Sequence, residues 1–250
     1  MTVVGLFPGD SDAEKLSETI NSALASHQLT ACTLITVEDQ DWERAWMDDF
    51  RPMEFGDGKL VVCPTGMHID HGNAVIMELD PGLAFGTGTH PTTALCLDWL
   101  AENPPTGKTL IDYGCGSGIL GIAALLLGGT VVYGVDNDPQ ALTATRDNLR
   151  KNNLPETQFP LYLPGDFAQA LAAGSVGQAD IMLANILAGP LVSLAQYLSA
   201  MTQEGGTIML SGILAEQASE VMAAYAPWFT FSEPLISEGW VRLTGERKIS

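Results

Sequence analysis

The chain has 250 residues, 46% of them hydrophobic, which is enough for one large α/β domain or for a catalytic domain with a small appendage. Its 30 acidic and 11 basic residues give a formal net charge of −19, which argues against direct binding of free nucleic acid and favours basic partners. No apolar run approaches the roughly 18 residues of a membrane span, and residues 1–10 lack a signal-type pattern, so we expect a cytoplasmic protein. We also expect a monomer.

The front of the chain predicts a small βαβ piece followed by a helix. The helix of that piece carries Leu16, Ile20 and Leu24 on one face, and the later helix carries Trp42 and Trp46 four positions apart, which favours packing on the main domain. A two-stranded sheet with one helix is not stable by itself, so further elements are needed to complete it. In chain order, the predicted strand, helix, strand and helix lie at residues 3–7, 11–26, 31–37 and 41–50.

A long loop at residues 79–93 precedes the central part of the chain. It is rich in glycine, proline and threonine, and a loop of this length and composition inside a compact domain is usually functional. The predicted helix over residues 91–100 begins within this stretch and is capped by Thr89 or His90.

The central stretch, residues 110–128, reads LIDYGCGSGILGIAALLLG. It predicts a strand, a turn that contains Gly114, Gly116 and Gly118, and a helix that begins at Ile119. Glycine lets the backbone approach a ligand closely, and the start of a helix presents unpaired N–H groups there. We therefore expect a ligand to bind above this glycine turn.

Asp136 follows the next predicted strand and can reach a ribose at the glycine turn, because the carboxyl ends of neighbouring parallel strands lie side by side. Two cofactors could use this arrangement. Gly116, Gly118 and Gly121 satisfy the G-x-G-x-x-G pattern of NAD-binding proteins, with Asp136 at a suitable spacing. S-adenosylmethionine (SAM) fits better, because Asp112 can meet the amino group of a methionine moiety but would repel a pyrophosphate.

After the glycine turn, strands and helices alternate to the end of the chain. This order predicts a doubly wound, mostly parallel sheet, to which a closing hairpin adds an antiparallel edge. The strands predicted after residue 50 are residues 60–63, 74–78, 109–113, 131–135, 158–163, 179–184, 206–210, 229–236 and 240–245. The helices predicted there are residues 91–100, 119–127, 139–152, 167–173, 190–201 and 215–226.

Asn185 lies at the carboxyl end of the strand predicted at residues 179–184, beside the glycine turn. Its side-chain amide offers one acceptor and two donors without charge, so it can hold an amine without an ion pair that would keep the amine protonated. The alternative role, capping the helix before Pro190, is compatible with this one.

Cysteines and histidines do not indicate a metal site. Cys32, Cys63, Cys96 and Cys115 are dispersed without a C-x-x-C pair, so we expect reduced thiols. The segment His68-Ile69-Asp70-His71 lies in a polar, glycine-flanked loop with no third ligand in view, and we interpret it as a solvated turn.

Six sequence blocks occur in the order of one known family, and the resemblance covers about residues 35 to 247. The blocks are DWERAWMDDFRPM, DPGLAFGTGTHPTT, IDYGCGSGILGIAAL, GVDNDPQAL, ANILAGPL and LSGILAEQASEV. Together they resemble the bacterial ribosomal protein L11 methyltransferase (PrmA) family. Asn185 and the three residues after it, Asn-Ile-Leu-Ala, also stand in the place of the Asn-Pro-Pro-Tyr motif of amino methyltransferases.

The resemblance implies a fold and a division of the chain. Residues 101–250 would form a Rossmann-like, class I SAM-dependent methyltransferase domain with a seven-stranded sheet, and residues 39–100 a linker and a loop region that covers the cofactor. Residues 1–38 would be a partial ferredoxin-like piece for substrate docking, because only the last β-α-β part of the family's N-terminal domain is recognisable here.

The same resemblance implies a reaction and its site. SAM would donate a methyl group to amino groups of the basic ribosomal protein L11, while Asn185 orients the amine. Phe85 and the surrounding glycine loop would close over the cofactor. His90 could accept the proton, although capping or packing is the favoured role, and Trp240 is expected on the substrate side. The residues expected to hold SAM are Thr93, Gly114, Gly116, Asp136 and Asn185.

Three other functions stay open at the level of sequence. The same fold would serve a methyltransferase for another protein or a small-molecule acceptor. An NAD-dependent oxidoreductase would need a hydride-handling acid–base pair, for which only His90 presents itself. A SAM-binding fragment without activity is the third alternative.

Overall fold

The computed structural model describes residues 13–25, 51–67, 72–79 and 88–249, and the chain divides into two compact units, Met1–Ala45 and Trp46–Ser250. In the first unit the described element is helix α1, Ala13–Ala25, as predicted. The strands predicted at residues 3–7 and 31–37 and the helix predicted at residues 41–50 lie outside the described residues. The ferredoxin-like piece and the domain boundaries therefore stay predictions.

A small sheet opens the described part of the second unit. It contains β1, Met53–Phe55, which is antiparallel to β2, Leu60–Cys63, which in turn is parallel to β3, Val75–Glu78. Asn152 ties β3 to a helix of the main domain: its Oδ1 accepts the Glu78 N–H at 2.8 Å, and its Nδ2 donates to the Glu78 carbonyl at 2.7 Å. The small sheet is thus fixed to the domain that carries the main sheet.

The main sheet has eight strands, and its central part is parallel. Its spatial order is β10-β11-β8-β7-β4-β5-β6, with β9 also paired to β11. The pairs β8–β7, β7–β4, β4–β5 and β5–β6 are parallel, whereas β11 is antiparallel to β8, β9 and β10. The strands are β4, Thr109–Tyr113; β5, Val131–Val135; β6, Leu161–Tyr162; β7, Ala179–Asn185; β8, Thr202–Leu214; β9, Phe229–Phe231; β10, Leu235–Ser237; and β11, Trp240–Arg247.

Helices cover both faces of this sheet. Neighbouring side chains along a strand point to opposite faces, so each central strand contributes to an apolar cluster on either face. Leu110 belongs to one buried apolar cluster and Ile111 to the other. The doubly wound α/β prediction is confirmed. None of the described helices is long and apolar enough to cross a membrane. The helices are α2, Pro91–Glu102; α3, Ile119–Leu126; α4, Pro139–Lys151; α5, Pro164–Ala172; α6, Ala188–Ser193; α7, Ala195–Met201; and α8, Ala218–Tyr225.

Prolines account for two differences from the predicted elements. The strand predicted at residues 158–163 shrinks to the two residues of β6, since Pro160 has no N–H to donate to a ladder. The strand predicted at residues 229–236 is divided into β9 and β10 around Pro234 for the same reason. This division makes the sheet eight-stranded, where seven strands were expected.

Two predicted helices also differ from the structure. The helix expected at residues 190–201 is two helices, α6 and α7, separated at Leu194. The helix expected at residues 215–226 begins with one 3-10 turn, Ala215–Gln217, before α8. The first difference divides a predicted helix and the second concerns a helix end, and neither changes the strand order.

Candidate active site

A cleft lies at the carboxyl edge of the parallel strands, where ligands bind in open α/β sheets. Its volume is about 610 Å³, within the usual range for small-molecule sites. The glycine turn after β4 and Asp136 after β5 form one side. Asn185 after β7, His90 before α2 and Trp240 at the start of β11 also line the cleft.

The glycine turn is tied to the neighbouring strand by its own backbone. The N–H groups of Gly114 and Cys115 both donate to the Val135 carbonyl, at 2.7 and 3.1 Å. Gly118 has a φ of +80°, and a Cβ there would lie 2.5 Å from Cγ2 of Thr145, so the position requires glycine. Gly114 and Gly116 line the cleft, and a Cβ at Gly114 would overlap Cγ2 of Ile186.

Asp136 is half-buried and is already oriented by the backbone. Its Oδ2 accepts the Gly116 N–H at 2.9 Å, and its Oδ1 accepts the Asp138 N–H at 3.0 Å. Each carboxylate oxygen has a further acceptor position, so both can also receive a hydroxyl of a ribose. The carboxylate therefore stabilises the glycine turn and remains available to a ligand in the cleft.

Asp112 lies beneath the glycine turn and is not among the residues that line the cleft. Its side chain is 1% exposed, its Oδ2 accepts the Gly121 N–H at 3.0 Å, and its Oδ1 has no hydrogen-bond partner among the described residues. Burial raises the pKa of Asp112 to about 7, and the nearby Asp136 adds to the rise. In this structure Asp112 supports the turn from below.

The raised pKa of Asp112 predicts a pH dependence of stability. Because the folded chain binds this proton more tightly than the unfolded chain does, the free energy of unfolding falls as pH rises from the ordinary aspartate pKa towards about 7. Asp112→Asn keeps an oxygen for the Gly121 N–H and carries no charge. We expect the variant to lose less stability than the wild type between about pH 5 and about pH 8, measured by urea unfolding. Equal losses in both proteins would contradict the assignment.

Asn185 lines the cleft at the end of β7, and Thr93 holds one end of its amide. Its Nδ2 lies 3.3 Å from Oγ1 of Thr93, to which it donates, whereas its Oδ1 is buried without a hydrogen-bond partner among the described residues. Buried polar atoms are almost always paired, so Oδ1 of Asn185 is, like Oδ1 of Asp112, an unsatisfied acceptor in this structure. Thr93 itself is fully buried behind Asn185 and is not among the cleft-lining residues.

Two residues of β8 that received no individual role from the sequence complete the support of Asn185. Ser211, directly beside Asn185 in the β7–β8 ladder, is fully buried, and its hydroxyl lies 3.3 Å from the Thr92 carbonyl and 3.1 Å from the Val241 carbonyl. Gly212 has a φ of +83°, and a Cβ there would overlap the Ile186 backbone. The sequence block that contains both residues is similar to the PrmA family, but only the fold shows their contacts.

Gly212→Ala is expected to damage both stability and activity. The added methyl group would displace the Ile186 peptide and with it Asn185, and a displacement of about 1 Å in a catalytic group can cost about 100-fold in rate. Gly205→Ala in the same strand is a matched control, since Gly205 also has a positive φ, +72°, but has open space around its Cβ position. Urea unfolding and methyl-transfer rates should separate the two variants, and identical losses would rule out the overlap as the cause.

His90 caps α2 and packs against Trp240. The Thr92 N–H donates to Nδ1 of His90 at 3.3 Å, and the His90 and Trp240 rings meet edge to face with centroids 4.9 Å apart. The capping role favoured by the sequence agrees with this geometry. Trp240 lines the cleft, and its place on the substrate side stays a prediction.

Some predicted features lie outside the described residues. These are Cys32, Phe85 with the loop over residues 80–87, and the segment from His68 to His71. Within the described ranges, no group of three or more histidine, cysteine or acidic side chains could hold a metal ion, and the described cysteines are free.

Comparison with known proteins identifies relatives along the whole chain. A family model described as "Ribosomal protein L11 methyltransferase (PrmA)" matches residues 1–248. The ribosomal protein L11 methyltransferase of Marinobacter nauticus is 54% identical over 252 residues, which cover 99% of this chain and 81% of the relative. The enzyme of the same name from Pseudomonas aeruginosa is 49% identical over 246 residues, which cover 98% of this chain and 81% of the relative.

Solved structures agree with these relatives. The crystal structure of a ribosomal protein L11 methylase from Lactobacillus delbrueckii subsp. bulgaricus aligns with a TM-score of 0.66 and 31% identity, over 76% of this chain and 96% of that one. A putative methyltransferase solved in complex with SAH aligns with a TM-score of 0.55 and 14% identity, over 68% of this chain and 52% of that one. At that identity the second comparison shows a shared fold, which is the class I SAM-dependent methyltransferase fold.

Proposed function

The chain belongs to the ribosomal protein L11 methyltransferase (PrmA) family, and on that basis we propose that it transfers methyl groups from SAM to amino groups of ribosomal protein L11. The observation that carries the proposal at the level of the site is that Asn185, whose buried Oδ1 has no partner among the described residues, lines the same cleft as Asp136. One side of the cleft suits a nucleoside, and another side offers an acceptor to an amine.

SAM is the cofactor of this family. The family therefore favours SAM over NAD, the two cofactors that the glycine pattern left open. The residues present fit it: Gly114 and Gly116 line the cleft with backbone alone, and Asp136 offers acceptors for the two ribose hydroxyls. When bound, SAM supplies an electrophilic methyl group on a sulfonium. We propose Asp136, Gly114, Gly116 and Asn185 as its contacts, and Thr93 as a support.

The substrate amine must lose a proton before it can be methylated. For a lysine of ordinary pKa at neutral pH, deprotonation costs about 4.6 kcal/mol. Fixing two reactants in line contributes roughly 7 to 11 kcal/mol, so positioning can exceed this cost without a strong dedicated base. Asn185 orients the amine by accepting its N–H through Oδ1, which leaves the nitrogen lone pair free to attack the methyl carbon.

The charge of the chain fits a basic protein substrate. A net charge of −19 attracts a lysine-rich partner and increases its association rate at low salt, and it disfavours free nucleic acid. We propose that the chain acts in the cytoplasm as a monomer. We also propose that residues 1–38 take part in docking the substrate, that residues 39–100 link and cover the site, and that residues 101–250 perform the transfer.

The proposal is tested by the mass of ribosomal protein L11 after incubation with the purified chain and SAM. We expect L11 to gain mass in steps of one methyl group, and a basic ribosomal protein of similar size to gain none. Equal methylation of the two proteins would favour a methyltransferase with another acceptor. No transfer to either protein, despite SAM binding, would favour a SAM-binding fragment without activity.

A further inference from the structure

Helix α4, which follows β5, carries two buried polar side chains that have no role in the site described above. Thr145 is fully buried and Asn148 is 4% exposed. The two residues lie three positions apart on the helix, so their side chains leave it on the same face. A buried polar side chain is costly unless it is hydrogen-bonded, so the partners of these two residues show what the face holds.

Both side chains hold carbonyl groups of the glycine turn. Oγ1 of Thr145 donates to the Gly116 carbonyl at 3.0 Å, and Nδ2 of Asn148 donates to the Ser117 carbonyl at 2.9 Å. The backbone of Gly118 packs closely on the same threonine, since a Cβ there would lie 2.5 Å from Cγ2 of Thr145. Thr145 and Asn148 are not among the residues that line the cleft. The helix therefore supports the turn through contacts that lie outside the cleft.

Gly116 connects these contacts to the ligand side of the turn. It lines the cleft, and its N–H donates to Oδ2 of Asp136 at 2.9 Å, while its carbonyl accepts the bond from Thr145. A displacement of Gly116 would therefore move both the turn and the carboxylate that faces a ribose in the cleft.

We propose that Thr145 and Asn148 are positioning residues for SAM binding, which hold the glycine turn, and through Gly116 the carboxylate of Asp136, in the binding arrangement before SAM arrives. This inference rests on the proposed SAM-dependent function. A backbone carbonyl that loses a buried donor must find another partner. Without these donors the turn would exchange between its present arrangement and others in which water or a different group satisfies the carbonyls.

The glycines make the turn dependent on this support. Gly114, Gly116 and Gly118 have φ values of +81°, +57° and +80°. Glycine adopts positive and negative φ about equally well, so the turn residues themselves give little preference for one arrangement. If only a fraction of the molecules holds the binding arrangement, the apparent dissociation constant for SAM rises in inverse proportion to that fraction. Saturating SAM restores the arrangement, so kcat should change little.

The first pair of variants removes or keeps the hydroxyl of Thr145. Thr145→Val keeps Cγ2 and removes the hydroxyl, whereas Thr145→Ser keeps the hydroxyl. Thr202→Val is the matched control, because Thr202 is also fully buried but its hydroxyl donates to the Leu198 carbonyl at the start of β8. Each variant is measured for SAM binding by calorimetry, for thermal unfolding, and for kcat with ribosomal protein L11 at saturating SAM.

A second pair of variants tests Asn148 in the same way. Asn148→Leu removes the donor to the glycine turn and keeps a side chain of similar size. Asn152→Leu is its matched control, because Asn152 caps the end of the same helix and bonds the backbone of Glu78 in β3. Both leucine variants should unfold at a lower temperature than the wild type, and only Asn148→Leu should bind SAM more weakly.

We expect Thr145→Val and Asn148→Leu each to raise the dissociation constant for SAM about tenfold, with kcat at saturating SAM changed less than about twofold. Thr145→Ser should recover most of the affinity, and the two control variants should keep that of the wild type. Unchanged affinity in Thr145→Val, or an equal loss of affinity in Thr202→Val, would overturn the proposal.

A measurement without SAM separates this inference from the proposed function. The N–H groups of Gly114, Cys115, Gly116 and Gly118 are all hydrogen-bonded in the structure. In the ligand-free chain, peptides that contain them should exchange hydrogen for deuterium faster in Thr145→Val than in Thr202→Val. Equal exchange would overturn the inference even if SAM binds. Faster exchange in Thr145→Val, together with no SAM binding by the wild type, would instead reject the proposed function on which the inference depends.

Discussion

Replacing Asp136 with asparagine is expected to weaken SAM binding about 100-fold, which corresponds to about 3 kcal/mol. Two charge-assisted hydrogen bonds to ribose hydroxyls contribute about 1.5 to 3 kcal/mol each, and an amide can accept at one end only. The asparagine amide would also place its NH₂ group against a backbone N–H that the carboxylate now accepts. That backbone group is the N–H of Gly116 or the N–H of Asp138. The change is measured as the dissociation constant for SAM by calorimetric titration.

Asp138→Asn is the matched control for this prediction. Asp138 lies two positions further along, is exposed and caps α4 by accepting the Gln140 N–H at 2.8 Å. Asparagine caps a helix about as well as aspartate does, so SAM binding and stability should be close to those of the wild type. If the Asp138 variant lost as much affinity as the Asp136 variant, the loss of one negative charge near the cleft would explain both results better than a ribose contact.

Asn185→Ala is expected to lower kcat for L11 methylation by about 100-fold or more, a loss typical of removing one positioned catalytic group. The substitution removes the unpartnered Oδ1 in the cleft wall. Because the amine would keep its freedom to turn away from the methyl group, the loss should appear mainly in kcat. Stopped reactions analysed by intact-protein mass spectrometry measure the rate.

The fold should survive the Asn185 substitution, and a remote asparagine provides the comparison. Asn103, whose Nδ2 donates to the Trp99 carbonyl at the end of α2, makes a side-chain bond of similar type away from the cleft. Asn103→Ala should keep its turnover, and the melting temperatures of the two variants should be similar. Undiminished turnover in Asn185→Ala would remove Asn185 from the mechanism.

The central strands were predictable because their signals are local. The apolar runs of β4 and β5 end at the glycine turn and at Asp136, so the bounds of both strands could be read from the sequence. Prediction was less successful at the sheet edge. There, Pro160 and Pro234 interrupt the predicted strands, because a proline has no N–H to donate to the ladder.

The site was only partly predictable, because its support depends on residues far apart in the chain. Asn185 could be placed at a strand end, but the contact of its amide with Thr93 joins residues 92 positions apart. A side chain at Gly212 is excluded because it would overlap the backbone of Ile186, which directly follows β7. A sequence pattern indicates which residue types stand near the cleft, and the fold decides which of them line it and which support it.

The most direct test of this account is calorimetric titration of the purified chain with SAM and, separately, with NADH. We predict saturable binding of SAM at one site for each chain, and no binding of NADH. Binding of NADH, or of neither compound, would contradict the central claim that the cleft between the glycine turn, Asp136 and Asn185 is the SAM site of a methyltransferase.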